Sequence, residues 1–140
     1  MNTPFAVRLE RTSLGTYVAR NPLGAEIEMG PASKDHLSPV ELLLAAIAGC
    51  SAVDVDHMTS RRAEPESFVV EATGTKVTDG GNYLTDITVT FRLQFPAGDA
   101  GDQARQRIDV AMRRSHEVDC TVSRTVELGS PVHFVRVDGS

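Results

Sequence analysis

Ser38-Pro39-Val40-Glu41 is the feature that most restricts the fold of this chain. A capping Ser, a Pro at the first helical position and a Glu at the third form a capping box with a favoured first residue. It starts a helix that nothing interrupts until about Arg61 except Gly49. Leu42 to Ala48 leaves no polar face in the first half of that helix. A helix apolar all round is a buried helix, and it needs cover on every side. Asp54 to Arg62 turns polar and is expected to emerge into solvent.

The segments on either side read as strands. Phe5, Val7 and Leu9 alternate with polar or small residues, Gly15 to Arg20 forms a second strand, and Ala25 to Met29 a third. Asn21-Pro22-Leu23-Gly24 turns the chain between the second and third. Beyond the helix, Glu66–Lys76 and Tyr83–Phe95 flank Asp79-Gly80-Gly81-Asn82, a strong hairpin signal. Asp102 to about Val118 reads as an amphipathic helix, and Pro131 to Val137 as a last strand. The order β-β-β-α-β-β-α-β predicts an α+β fold, with antiparallel sheet wrapped around a buried central helix.

At 140 residues the chain is expected to be a single domain over 1–140, with an N-terminal meander at 1–30 and a helix-containing remainder at 38–140. Six short strands can barely cover the apolar helix, which predicts a homodimer. There are 19 acidic and 14 basic residues, so the chain lacks the basic excess that nucleic acid binding requires. Trp is absent and aromatic residues make up 5%, which disfavours base-stacking platforms. No apolar leader stands at the N-terminus, and the strongest apolar run, Leu42–Gly49, is far short of the ~18 residues that span a bilayer. A soluble cytoplasmic protein is expected, with neither nucleic acid nor membrane as partner.

Two cysteines in such a chain are not a structural staple. The residues leave three readings open: buried bystanders, metal ligands or redox groups. Cys50 follows Gly49 in the apolar helix, where the helix turns polar. Gly costs about 1 kcal/mol in a helix interior, so Gly49 suggests that something approaches the backbone there. Cys120 lies just past the second helix, where the start of a new helical turn lowers a thiol's pKa. Neither belongs to a CxxC pair. Cys50, His57, His116 and Cys120 together make a Cys₂His₂ set of the kind zinc takes, although their spacing is not a zinc-finger pattern. His57 is two turns from Cys50, too far for a direct dyad. An ionised Asp54, one turn after Cys50, raises the thiol's pKa rather than lowering it.

Ser38 to Val55 resembles the first-cysteine helix of the OsmC/Ohr family, the osmotically induced and organic hydroperoxide resistance proteins. His116 to Thr125 resembles the segment around that family's second cysteine. The resemblance runs over the whole chain in length and element order, and is nearest the OsmC-like branch. It implies the OsmC-like fold and an intertwined homodimer with its sites between subunits. It also implies a thiol-dependent peroxidase without a cofactor. Cys50 becomes a sulfenic acid on an organic hydroperoxide, Cys120 resolves it, and an external dithiol or lipoyl-type reductant restores both thiols. Arg20 is the candidate for the family's thiolate-holding Arg, and Glu41 for the Glu that orients it. In the peroxidase branches that Glu stands ten residues before the cysteine, where this chain has Val40. Glu41 stands nine before, and nine steps of about 100° put it on the helix face opposite Cys50. Because burial raises a thiol's pKa, a cation near Cys50 is expected. The alternatives are a small-ligand or lipid-binding protein of the same fold without catalysis, and the Cys/His metal site.

Overall fold

The computed structural model describes residues 2–139. They form two compact units, divided between Ala45 and Ala46.

The first unit is the predicted meander. Strands β1 (Arg8–Ser13), β2 (Thr16–Arg20) and β3 (Glu26–Met29) pair antiparallel in sequence order. β1 starts at Arg8 rather than Phe5, because Arg8 pairs with Arg20 at the end of β2 and Pro22 lies just beyond. Phe5, left without a partner strand, is 96% exposed. Asn21 closes the β2–β3 turn by accepting the Leu23 and Ala25 amides on its side chain. The capping box forms as read: the Glu41 amide donates to Ser38 Oγ at 3.1 Å, and the Ser38 amide donates to Glu41 Oε1 at 2.8 Å.

Helix α1 (Pro39–Thr59) begins there and continues into the second unit. Its burial differs from the expectation in both halves. Leu43 is 40% exposed and Val53 55%, so one copy of the chain does not cover the helix all round. In the polar half, Val55 and Thr59 are fully buried. The buried residues Ile47, Ser51, Val55 and Thr59 recur every four positions, one stripe along a helix. The Thr59 hydroxyl is satisfied within it by donating to the Val55 carbonyl at 2.9 Å. Gly49 is exposed, and nothing lies within 4 Å of the space a Cβ would take. The close approach expected there is absent among the described residues.

In the second unit, β4 (Ser67–Val77) and β5 (Tyr83–Gln94) form the predicted hairpin as a separate two-stranded sheet. Val70 pairs with Phe91 and Phe68 with Leu93. Thr73 pairs with Thr88 but Thr75 with Thr85, so β5 carries one extra residue. Asp86 takes that bulge at φ 54°, which re-aims the side chains after it. Helix α2 (Asp99–Arg114) packs closely on the loop before it: a Cβ at Gly101 would sit 1.7 Å from the Pro96 carbonyl oxygen.

Past α2 the chain departs from the predicted pattern. Ser115–Asp119 is a π turn, and Thr121–Leu128 is a third helix, α3, too short to show a clear period in the sequence. Pro131–Val137, expected as a strand, pairs with nothing among the described residues, and Phe134 is 96% exposed. Alternation alone does not make a strand, which needs a neighbour to complete its hydrogen bonds. The fold is therefore α+β, with two antiparallel sheets and three α-helices among the described residues.

Candidate functional site

Helix α3 has its first amides free of intrahelical partners, as any helix does. Here sulfur takes them. The Ser123 amide donates to Cys120 Sγ at 3.4 Å, with Cys120 the N-cap. The Thr121 and Val122 amides point at the Cys50 sulfur. The regular ladder begins one residue later, where the Arg124 amide donates to the Cys120 carbonyl at 3.1 Å. Three consecutive amides at the positive end of a helix thus face two thiols that are far apart in sequence and not bonded to each other.

The π turn and α1 complete the arrangement. The Cys120 amide donates to the Ser115 carbonyl at 2.8 Å, the long-range closure of the π turn. The Ser115 hydroxyl, itself buried, donates to Asp54 Oδ2 at 2.8 Å. From α1, the Ser51 hydroxyl donates to Cys120 Sγ at 3.3 Å. The Ser123 hydroxyl is buried without a hydrogen-bond partner and lies close enough to the same sulfur to favour its anion. Cys50 lies within hydrogen-bonding range of Cys120 and is partly exposed, whereas Cys120 is fully buried.

These surroundings act oppositely on the two sulfurs. Burial is the largest influence on Cys50 and raises its pKa; the Val122 and Thr121 amides oppose it, and Cys120 adds to it. Burial also raises Cys120, but the Ser123 hydroxyl, the Ser51 hydroxyl, the Ser123 amide and the Cys50 thiol together outweigh it, and the net shift is down. Of the two sulfurs, Cys120 is the one whose neighbours favour its anion. None of the groups acting on Cys50 is a cation. At Cys120 the anion is favoured by two hydroxyls, one helix amide and the neighbouring thiol.

A pocket of about 360 Å³ lies beside this centre. Ile47, Ile87, Val89, Phe91, Met112 and Val126 give it apolar walls. Ser51 and Ser123, the two residues whose hydroxyls act on Cys120, also line it, as does His116, whose Nε2 is 3.6 Å from Glu127 Oε1. The β5 bulge helps to shape it, since Ile87 and Thr88 both contribute.

Cys50 and Cys120 are therefore brought together. Arg20 and Glu41 have local partners in the first unit. The Arg20 Nε pairs with Glu26 at 2.7 Å and its Nη1 with Glu10 at 3.4 Å, while Glu41 closes the capping box. The Cys₂His₂ set does not assemble: among the described residues no three His, Cys, Asp or Glu side chains are gathered to hold a metal. Ser51, Ser115 and Ser123 went unnoticed in the sequence. Only Ser123 carried a signal, standing three residues after an N-cap.

No helix among the described residues is long and apolar enough to cross a membrane. Residues 31–134 match the sequence profile of the family described as OsmC-like protein. An uncharacterized protein of Mycobacterium tuberculosis (strain ATCC 25618 / H37Rv) is 32% identical over 133 residues, covering 93% of this chain and 94% of its own. The crystal structure of a hypothetical protein from Aquifex aeolicus VF5 superposes with a TM-score of 0.71 at 25% identity, covering 92% of this chain and 91% of the other. An OsmC-like protein of unknown function from Vibrio cholerae O1 superposes at 0.73 with 13% identity, over 90% and 95% of the two chains, a likeness of fold alone. A thiol pair brought together at the N-terminus of α3, a profile matched over most of the chain and a relative similar over nearly its whole length agree: the chain belongs to the OsmC/Ohr family of OsmC-like proteins.

Proposed function

We propose that the protein is a thiol-dependent peroxidase that reduces organic hydroperoxides. The observation that carries this reading is the meeting of the Cys50 and Cys120 sulfurs at the N-terminus of α3. Cys50 is the attacking sulfur because it is the accessible one; Cys120 is fully buried. Cys50 gives up its proton to solvent, and its thiolate attacks the terminal oxygen of the hydroperoxide. The O–O bond breaks, the alkoxide leaves and takes a proton as the alcohol, and Cys50 becomes a sulfenic acid. Cys120 then attacks that sulfur as its thiolate, the S–O bond breaks, and the departing hydroxide takes a proton to leave as water. The resulting disulfide is two electrons more oxidised than the dithiol. An external dithiol returns those electrons by two exchanges and leaves as its own disulfide.

The apolar walls suit the alkyl or aryl part of an organic peroxide better than they suit hydrogen peroxide. The chemistry uses no cofactor, and two free thiols suit a reducing compartment such as the cytoplasm. The apolar face of α1 left bare by one chain is covered in a homodimer. The test is consumption of cumene hydroperoxide in the presence of dithiothreitol. Turnover by the wild-type chain and none by Cys50→Ser supports the reading. A wild-type chain that binds apolar ligands without turnover would place the protein with its non-catalytic alternative.

A further inference from the structure

Asp54 has no part in the reaction as written, yet its side chain is committed. Asp54 sits one turn after Cys50 on α1, and Ser115 Oγ donates to its Oδ2 at 2.8 Å across 61 residues of sequence. Ser115 is 1% exposed and opens the π turn. Its carbonyl accepts the Cys120 amide at 2.8 Å. A single residue therefore joins the helix that carries one thiol to the backbone that carries the other. The contact thus gives Asp54 a hold on the position of the turn that carries Cys120. The turn is braced elsewhere by the Arg114 Nε–Asp119 Oδ2 pair at 2.9 Å and by Arg124 Nη1 donating to the Glu117 carbonyl at 2.6 Å. Neither of those reaches α1. π turns inside helical segments are frequent at functional sites, and this one has its first residue hydrogen-bonded to the neighbouring helix.

We infer that Asp54 and Ser115 are positioning residues: their hydrogen bond fastens the π turn to α1 and so sets the approach of the Cys120 sulfur to Cys50. The inference rests on the resolving role proposed above for Cys120. The step it governs is disulfide formation, in which Cys120 attacks the Cys50 sulfenic acid and water leaves. It does not govern the first attack on the peroxide, which Cys50 makes from its own helix.

The experiment treats the reduced full-length chain with one equivalent of cumene hydroperoxide. It follows the sulfenic acid by dimedone adduct and the disulfide by mass. The hydrogen bond to a carboxylate is worth about a tenfold change in such a step. Asp54→Ala is expected to slow disulfide formation about tenfold and to lengthen the sulfenic acid's life by the same factor, with peroxide consumed in the first turnover at the wild-type rate. Asp54→Asn keeps an oxygen for the Ser115 hydroxyl and is expected to restore the rate to within about twofold of wild type, which loss of general stability would not. Ser115→Ala, which removes one oxygen, makes the same test should Asp54→Ala not fold.

A second measurement needs no peroxide: the Cys50–Cys120 disulfide is equilibrated against oxidised and reduced dithiothreitol. Asp54→Ala is expected to favour the dithiol about tenfold more than wild type does. A disulfide equilibrium unchanged by Asp54→Ala and Ser115→Ala overturns the inference, whatever the chain does with hydroperoxide. A shifted equilibrium in a chain that consumes no hydroperoxide supports the positioning role and overturns the peroxidase reading instead.

Discussion

The Ser51 hydroxyl donates to the Cys120 sulfur at 3.3 Å, from a residue adjacent in sequence to the other thiol. A donor aimed at a sulfur favours its anion, so Ser51 contributes to the lowered pKa of Cys120. Ser51→Ala should move the thiolate titration of Cys120, followed by ultraviolet absorbance, to higher pH. Stability follows the same sign. A depressed folded pKa adds stability above the unfolded value, and that gain is lost as pH falls through the folded value. Ser51→Ala should shrink this pH-dependent part, read as a smaller fall in denaturant midpoint as pH is lowered from above the ordinary cysteine value of 9.0. A titration unmoved by the substitution would show that the hydrogen bond does not act on the anion.

Glu41 supplies one half of the capping box, accepting the Ser38 amide at 2.8 Å. Glu41→Ala should cost about 1 kcal/mol in urea unfolding, the usual worth of a capping contact. Glu41→Gln retains the acceptor and should stay within about 0.3 kcal/mol of wild type, since glutamine also closes such a box. Equal losses in both variants would point to the charge of Glu41 rather than its hydrogen bond.

The bare face of α1 predicts self-association. Val40, Leu43 and Val53 are between 40% and 55% exposed in one copy, and Phe134 and Val135 stand almost free in the C-terminal segment. Sedimentation equilibrium should give twice the mass of the chain. Leu43→Asp should shift the distribution toward single chains by placing a charge in the covered surface. A single-chain mass independent of concentration would contradict the dimer.

Much of this architecture is legible in the sequence where a local rule decides the structure. The capping box, the Asp79–Asn82 hairpin and the alternation of β5 are set by neighbours a few residues apart. The readings that changed depend on what lies across the fold. Leu43 reads as core because its own helix is apolar, yet cover is a property of what packs on it. Pro131–Val137 alternates like a strand but pairs with nothing among the described residues. In the site, both cysteines are identifiable from their segments, and the influence of a helix start on Cys120 follows from its place after α2. The Asp54–Ser115 contact and the Ser51 donor are not legible, since each joins groups more than 60 residues apart with no motif to mark them.

The central claim is that Cys50 and Cys120 act as one redox pair. Its most direct test is peptide mapping of the reduced chain after one equivalent of cumene hydroperoxide. The account predicts a disulfide linking Cys50 to Cys120 within one chain, formed together with the alcohol product. In Cys50→Ser neither the disulfide nor the alcohol should form, and in Cys120→Ser a Cys50 sulfenic acid should persist. Peroxide consumption by Cys50→Ser at the wild-type rate, or a wild-type chain left with both thiols free, would contradict it.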